Sequence, residues 1–249
     1  MIFNYKFQVK VYKDRQDMGK YAAIETAQTI KEMLKKQDEL NMVFAAAPSQ
    51  NEFFANLIQQ DIEWNRINAF HMDEYIGLPK GHPARFSEFL CDHIFNKVGF
   101  KNIFIIDGDN DPEKEIMRYS SLIKSHKIHI TCMGIGENGH IAFNDPHAAR
   151  FDDDKLVKIV DLDEKCRMQQ VHDGCFKTLD MVPKYALTLT IPALMSAQKI
   201  FCIVPGDTKA AAVKNTVLGS VTERCPASIL RRHTDASLYL DKDSAKYLK

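Results

Sequence analysis

The amino-acid sequence predicts an α/β fold: a mostly parallel sheet with helices on both faces. Short β-rich runs alternate with longer runs of helical periodicity along most of the chain, the pattern of parallel strands joined by crossover helices. No internal repeat, low-complexity segment or linker interrupts the alternation, and 249 residues suit one large α/β domain. We therefore expect residues 1–249 to form a single domain.

Each element follows from local periodicity. Strands are predicted where β-branched, aromatic and other apolar residues form short runs, at residues 7–12, 42–47, 66–72, 102–106, 127–133, 199–204 and 236–240. Helices are predicted where apolar residues recur at helical spacing, at residues 18–34, 49–59, 87–98, 111–125 and 208–218. Ser49 is the expected N-cap of the second helix. The polar segment 151–177 is irregular, and we expect a lid or binding loop there.

The composition excludes several classes of protein. Thirty-three Lys and Arg balance 33 Asp and Glu, so the chain lacks the positive charge that nucleic-acid binding requires. No run approaches the roughly 20 apolar residues that span a bilayer, and residues 1–17 lack the pattern of a signal peptide. The six cysteines form no CxxC pair, and no His/Cys cluster has zinc-ligand spacing. We expect a cytoplasmic protein that binds neither nucleic acid, membrane nor metal.

The segment richest in chemistry is MGIGENGHIAFNDP, residues 133–146. His140 lies close in sequence to Asn138 and Asp145, and an imidazole beside a carboxylate can transfer protons near neutral pH. A glycine-rich turn with a surface histidine explains the same letters equally well. The glycines match G-x-G-x-x-G, but the HIAFNDP that follows is a poor helix start, so the pattern does not favour a dinucleotide cofactor.

A second candidate is the pair of acids at the end of the strand predicted at residues 66–72. Asp73 comes at the carboxyl edge of the sheet, where a partly buried carboxylate can act as a general base. A turn or helix-capping aspartate is the alternative. If the strand continues, Glu74 points to the opposite face, so the two acids are not expected to share one role.

A third candidate is an anion site. The sequence GDTK, ending at Lys209, opens a helix after a strand, and free amides at a helix start together with a lysine bind anions. Ser49 can add a hydroxyl from another strand end. A plain turn between strand and helix is the alternative, and the full Walker pattern is absent.

Together these segments resemble glucosamine-6-phosphate deaminase, within the wider family of sugar-phosphate isomerases and 6-phosphogluconolactonases. The motifs MDEYIGLPKGHP, GHIAFNDP, VPKYALTLTIPALMSA and VPGDTKA occur in the family's order, and the similarity runs from about residue 40 to about residue 240. The resemblance implies a modified Rossmann-like fold and a homo-oligomer. It also implies conversion of glucosamine 6-phosphate and water to fructose 6-phosphate and ammonia, with neither metal nor organic cofactor.

The resemblance also implies residue roles. Asp73 would move the C2 proton to C1 through an enol intermediate, and His140 would open the sugar ring. Asp145 would orient the histidine, while Lys209 and the turn at Ser49 would hold the phosphate. These assignments combine a base of suitable pKa with an anchor remote from the reacting carbons.

Two departures lie around the histidine. The family usually has Asp where this chain has Asn138, and Glu where it has Asp145. Asn at the first position resembles isomerases of related amino-sugar phosphates such as galactosamine 6-phosphate. We nevertheless place Asn138 with the catalytic residues, and Gly139 from the same motif with the substrate-binding ones.

Further departures affect the phosphate end. The usual Gly-Gly-Thr or Gly-Ser-Thr turn reads Ala-Pro-Ser here, and Pro48 removes an N–H that would contact phosphate. The family's phosphate-binding Arg falls in a region of altered length, where Arg167 and His172 are both candidates. The family's allosteric residues do not map onto residues 146–155, so we expect no activator site of that kind.

Three classes of function remain open. The first is an amino-sugar-phosphate deaminase or isomerase, acting on glucosamine or galactosamine 6-phosphate. The second is a 6-phosphogluconolactonase-type hydrolase, against which Tyr75 argues because the lactonases carry Arg there. The third is a non-catalytic sugar-phosphate binding protein, which the departures at Pro48 and Asn138 would suit.

Overall fold

A computed structural model describes residues 6–248 of the chain. Residues 1–5, part of the segment in which no signal peptide is expected, and residue 249 lie outside the described residues. The largest element is a seven-stranded parallel sheet with strand order β1-β10-β9-β6-β2-β3-β5. Its strands are β1 (Phe7–Tyr12), β2 (Leu40–Phe44), β3 (Ile67–His71), β5 (Asn102–Phe104), β6 (Ile130–Met133), β9 (Lys199–Val204) and β10 (Ala236–Asp241).

Helices cover both faces of this sheet, which confirms the predicted α/β fold. They are α1 (Arg15–Leu34), α2 (Asn51–Leu57), α3 (Phe86–Leu90), α4 (Pro112–Ser125), α5 (Glu164–His172), α6 (Ile191–Met195) and α7 (Ala210–Leu218). Strand β2 shows how the two cores are separated. Its Met42 and Phe44 pack in one apolar cluster with residues of α1, α2 and α3, whereas Val43 packs in a second cluster with residues of α4, α6 and α7. Such alternation, with every residue of β2 buried, is typical of a sheet covered on both faces.

A second, three-stranded antiparallel sheet lies beside the first. It has the order β4-β8-β7, formed by Asp73–Tyr75, Tyr185–Leu189 and Val157–Asp161. Only Met72 separates β3 from β4, and the carbonyl of Met72 accepts a hydrogen bond from the N–H of Leu189 at 2.7 Å. The chain therefore passes from one sheet to the other immediately before Asp73.

The structure corrects several element predictions. Residues 151–177 are not an irregular lid, because they contain β7 and α5. The predicted helix 87–98 consists of α3 followed by a π-helical turn, Cys91–Phe95. Ser49 is not an N-cap: it lies inside a 3₁₀ turn, Pro48–Gln50, and its hydroxyl accepts a hydrogen bond from Nε2 of Gln50 at 3.1 Å. Helix α1 begins at Arg15, three residues before the predicted start.

Two further observations concern the whole described chain. Within residues 6–248, none of the helices combines the length and apolar character needed to cross a bilayer. All six cysteines are free thiols, and Cys132 and Cys202 are buried in the central strands, where a thiol packs as a small hydrophobe.

Candidate active site

A cavity of about 300 Å³ opens at the carboxyl edge of the parallel sheet, where open α/β sheets bind ligands. Its walls come from the segments that follow β2, β6 and β9, together with β4 and the ends of α1 and α5. Its polar lining residues are Arg15, Ser49, Asp73, His140, Gln169, Gln170, Asp173, Asp207, Thr208 and Lys209.

Asp73 is the acid at the inner wall of the cavity. It is the first residue of β4, opposite Thr188 of β8, and only 6% of its surface is exposed. Burial raises the pKa of Asp73 well above its ordinary value of 3.8, and the neighbouring Glu74 charge raises it further. A carboxyl group with such a pKa is suited to exchange protons with a carbon acid near neutral pH.

Glu74 has a different role, as strand alternation predicts. Its carboxylate accepts hydrogen bonds from the N–H groups of Phe86 and Ser87 and from the Ser87 hydroxyl, at 3.0, 2.9 and 2.7 Å. Nε of Arg85 lies 3.6 Å away. Because the two amides belong to the first turn of α3, Glu74 fixes this helix to β4. It lies outside the cavity lining.

His140 is held by a tight glycine turn. The N–H of Gly136 donates to the carbonyl of His140, and the N–H of Gly139 donates to the carbonyl of Gly136, both at 2.9 Å. The imidazole packs directly on Gly136, since a Cβ built there would lie 2.1 Å from the ring. Nδ1 of His140 lies 3.0 Å from Oδ1 of Asp145, so the histidine faces the cavity with a carboxylate behind it.

Asp145 is fully buried and held from three sides. Besides His140, its oxygens accept from Nδ2 of Asn138 at 2.9 Å and from the N–H of Asp163 at 3.2 Å. Burial raises the pKa of Asp145, but the hydrogen bonds and the charge of His140 outweigh it and hold the pKa below the ordinary value. An ionised Asp145 can orient the imidazole and stabilise its protonated form.

Asn138 and Gly139 lie behind the cavity rather than in its lining. The side-chain amide of Asn138 bridges Asp145 and Asp163, with a distance of 3.1 Å to Oδ2 of Asp163. Gly139 has φ of +89°, which favours glycine, and its carbonyl accepts from the N–H of Ala227 at 2.9 Å. Gly139 therefore shapes the turn and lies outside the cavity lining.

The other end of the cavity is built for an anion. Lys209, Ser49 and Thr208 all line it. Lys209 is 6% exposed, and burial lowers the pKa of its ammonium group. Lys209 ends a 3₁₀ turn, Asp207–Lys209, which is preceded by Gly206 at φ +92°. Ser49 and Lys209 thus line the same cavity as Asp73 and His140.

Neither of the two residues considered as the family's phosphate-binding group lines the cavity. The guanidinium group of Arg167 donates to the carbonyls of Leu179 and Val182 at 2.6 and 2.9 Å. His172 has a 56% exposed side chain 3.8 Å from Glu137. Both lie outside the cavity lining.

The residues of α5 that do line the cavity share another face of the helix. Gln169, Gln170 and, just past the helix end, Asp173 are spaced by one, three and four residues, so they project on one side. Helical periodicity would have identified this face if residues 151–177 had been predicted as helix.

Arg15 is the cation that sequence reasoning missed. Nη2 of Arg15 donates to the carbonyl of Pro48 at 3.2 Å, and the guanidinium pairs with Glu52 through two contacts of 2.8 and 2.9 Å. No local motif marks Arg15, because only the packing of α1 on α2 brings it to the Pro48 turn.

A metal ion is not favoured at the histidine. Within residues 6–248, donor atoms of His140, Asp145 and Cys166 lie within 4.8 Å of one another. Cys166 would have to ionise to bind a metal, and burial raises the pKa of its thiol well above the ordinary value. Asp145 also already uses its oxygens for His140, Asn138 and Asp163.

These features define an α/β fold that brings an acid, a histidine–carboxylate pair and a buried lysine to one cavity. Residues 13–239 match the family model described as glucosamine-6-phosphate isomerases/6-phosphogluconolactonase, and the chain belongs to this family. The resemblance stated from the sequence motifs is confirmed.

Individual relatives refine the comparison. The glucosamine-6-phosphate deaminase of Listeria innocua is 34% identical over 212 residues, covering 84% of this chain and 88% of the relative. That of Streptococcus sanguinis is 31% identical over 230 residues, covering 91% and 96%. A solved monomeric glucosamine-6-phosphate deaminase superposes with a TM-score of 0.86 at 29% identity, over 96% and 99% of the two chains. A 6-phosphogluconolactonase from Thermotoga maritima, at 19% identity and TM-score 0.76 over 95% and 99%, shares the fold.

Proposed function

We propose that this chain is an amino-sugar-phosphate deaminase that converts glucosamine 6-phosphate and water to fructose 6-phosphate and ammonia. The observation that carries the proposal is the placement of Asp73, with its raised pKa, in the same cavity as the His140–Asp145 pair. The names of the relatives identical at 31–34% support the same activity.

Ring opening is assigned to His140. The imidazole takes the proton of the anomeric hydroxyl and delivers a proton to the ring oxygen, so that C1 becomes an aldehyde. Asp145, 3.0 Å from Nδ1, holds the ring in one orientation and stabilises the imidazolium that forms on the way.

Proton transfer between carbons is assigned to Asp73. Its carboxylate removes the proton at C2, the electron pair of that bond forms the C1–C2 double bond of an enolamine, and the π pair of the C1 carbonyl moves to its oxygen, which takes a proton from solvent. Return of the proton to C1 leaves an imine at C2, to which water adds before ammonia departs. A buried acid whose pKa is raised toward the working pH is matched to this transfer.

The phosphate group is assigned to the far end of the cavity. Lys209 supplies a charge, and Ser49 and Thr208 supply hydroxyl groups. Arg15 reaches the carbonyl of Pro48, so its guanidinium lies at the turn in which proline has removed an amide donor. We assign to Arg15 the contact that Arg167 and His172 cannot make.

One coupled assay tests the proposal. Purified protein is incubated with a panel of hexosamine 6-phosphates, including the glucosamine and galactosamine epimers, and ammonia and ketose phosphate are both measured. Equal release of the two products, with exchange of the C2 hydrogen in heavy water, is the expected result. Ligand binding without turnover of any member would instead identify a sugar-phosphate binding protein.

The lactonase alternative is separated by one variant. Lactone hydrolysis requires a histidine that activates water but no enolising acid, so Asp73→Asn should spare it and abolish deamination. The side chain of Tyr75 is buried among the rings of Phe86, Phe143 and Phe176. This apolar environment does not favour the arginine that the lactonases carry at this position.

The remaining assignments are proposals of the same kind. We propose that residues 1–249 act as a single domain in the cytoplasm, in the breakdown of amino sugars. The homo-oligomer implied by the sequence resemblance stays a prediction, and sedimentation or light scattering of the purified protein tests it.

A further inference from the structure

The anion end of the cavity contains a carboxylate that a phosphate site does not require. Asp173 lines the cavity together with Lys209, Gln169 and Arg15. It comes from a different element than Lys209, which ends the 3₁₀ turn before α7, and the two oppositely charged side chains line one cavity.

The backbone fixes Asp173 in this place. Asp173 is the C-cap residue of α5, and its N–H donates to the carbonyl of Gln169 at 2.8 Å. Nε2 of Gln169 donates to the carboxylate at 3.3 Å, and its Oε1 accepts from the N–H of Glu137 at 2.9 Å. The Gln169 side chain therefore ties Asp173 to the glycine turn that carries His140.

The charges around Asp173 oppose one another. Burial raises the pKa of Asp173, and the charge of Glu137 raises it further. The charges of Lys209 and His172 and the hydrogen bond from Gln169 lower this pKa, but its net shift is upward. Its place at the carboxyl end of a helix also disfavours a negative charge. Lys209 is the cation that most opposes this rise in the pKa of Asp173.

A bound phosphate would remove that compensation. Sugar phosphates are mostly dianions above pH 7, because their second pKa is about 6. Arg15, which is assigned to the phosphate as well and is already paired with Glu52, leaves the charge of Asp173 uncompensated. A dianion on Lys209 would thus share a buried cavity with an unpaired carboxylate, and like charges at close range strongly favour protonation of one partner.

We propose that the phosphorylated substrate binds with uptake of one proton, which Asp173 and a phosphate oxygen then share in a hydrogen bond. The inference rests on the proposed function for the identity of the ligand. The Asp173 carboxylate and the phosphate dianion take up one proton from solvent. The resulting complex carries one negative charge fewer than the carboxylate and the dianion together. Asp173 is accordingly a specificity residue that selects the monoanionic form of the phosphate end.

The test is calorimetric binding of glucitol 6-phosphate, a linear alcohol that cannot isomerise and whose phosphate is its only titrating group near neutral pH. Titrations at pH 7.5 and 8.5, each in two buffers of different ionisation enthalpy, count the protons taken up. The expected wild-type result is uptake of about one proton, with affinity falling about tenfold per pH unit.

Two variants identify the group responsible. Asp173→Asn should bind without proton uptake, with affinity independent of pH, and about tenfold or more tighter than wild type at pH 8.5. The matched control is Glu164→Gln, which removes an exposed acid at the opposite end of α5, outside the cavity lining. This control should keep the wild-type proton count and slope.

Each failure has a separate meaning. Wild-type binding without proton uptake, or uptake that persists in Asp173→Asn, overturns the inference even if ammonia is released from glucosamine 6-phosphate. Failure of wild type both to bind glucitol 6-phosphate and to release ammonia overturns the proposed function, and this inference with it.

Discussion

At the scale of single residues, Asn138 explains how the site tolerates the loss of the family's usual acid. Its amide donates to Asp145 and Asp163 at 2.9 and 3.1 Å, and its Oδ1 accepts from the N–H of His140 at 3.0 Å. A carboxylate at this position would face two others. The acid next to Asn138 is instead Asp163, the N-cap residue of α5.

We expect Asn138→Asp to lower both stability and activity. It replaces two donated hydrogen bonds by like-charge contacts, which should cost about 1–3 kcal/mol of unfolding free energy and displace Asp145 from His140. Urea unfolding and ammonia release measure the two effects. The double variant Asn138→Asp with Asp163→Asn should recover much of the loss, because position 163 then supplies the amide donor to the carboxylate at position 138. Residue 163 is the N-cap of α5, a position that Asn also suits. A double variant no better than the single one would contradict this account.

Asp73→Asn is expected to lower the rate of ammonia release by a factor of about 10² to 10⁴, the usual contribution of a general base. The affinity for glucitol 6-phosphate should change little, because the phosphate end lies elsewhere in the cavity. Steady-state kinetics and calorimetry on one preparation provide both numbers. A comparable loss in binding would show that Asp73 acts in binding rather than in proton transfer.

The same variant has a pH-dependent effect on stability. Burial raises the pKa of Asp73 in the folded chain above its unfolded value, so the folded state holds this proton more tightly. The contribution is fully present below the unfolded pKa and is lost as the pH rises through the folded pKa. Asp73→Asn should therefore gain stability relative to wild type as the pH increases from 4 to 8. Parallel unfolding curves measured by circular dichroism at these two pH values test the sign, and a constant difference would contradict it.

At the scale of elements, the close contact of α1 with α2 positions the anion end. A Cβ at Gly19 would lie 2.5 Å from Cβ of Glu52 and 2.9 Å from the backbone nitrogen of Phe53. The same contact sets Arg15 beside Glu52 and the Pro48 turn. Gly19 therefore determines where Arg15 lies.

Gly19→Ala should destabilise the protein by about 1–3 kcal/mol, the usual cost of inserting a methyl group into a packed contact. It should also weaken binding of glucitol 6-phosphate, because α2 and the Pro48 turn must move away from Arg15. Gly99→Ala is the matched control: a Cβ there meets nothing within 4 Å, and its effect should stay within about 0.5 kcal/mol. Equal effects of the two substitutions would refute this role for Gly19.

Elements with strong periodicity were predictable from sequence, and those decided by tertiary pairing were not. Strands β1 and β9 have the predicted bounds, because apolar and β-branched runs mark them locally. Strand β4 has only three residues, so its existence depends on pairing with β8. Helix α5 was missed because its sequence, EKCRMQQVH, is polar nearly throughout. As a result, Asp173 and Gln169 were not recognised as lining residues.

At the scale of the whole molecule, one buried carboxylate joins α3 to the smaller sheet, next to the point where the chain leaves the larger sheet. Glu74, in β4, accepts three hydrogen bonds from Phe86 and Ser87 at the start of α3. Asp73 directly precedes Glu74 in β4. The hydrogen bonds that attach α3 to Glu74 therefore also help to hold Asp73 in place.

Glu74→Gln should lower the unfolding free energy by about 1.5–3 kcal/mol, because charged acceptors make the stronger hydrogen bonds and one amide donor would be left without a partner. Glu88→Gln is the control on the same helix, since Glu88 accepts a single bond from the N–H of exposed Gly81; we expect at most about 1 kcal/mol there. Thermal and urea unfolding compare the pair. Similar losses in both variants would mean that Glu74 does not join α3 to the smaller sheet.

The order of strands has a consequence for synthesis on the ribosome. Strand β1 is bonded along its whole length to β10, with Phe7 opposite Ala236 and Tyr12 opposite Asp241. At roughly 5–20 residues per second, β1 waits on the order of ten seconds or more for β10, its sheet neighbour within residues 6–248. The nascent polypeptide accordingly carries β1 without this partner until β10 has been translated.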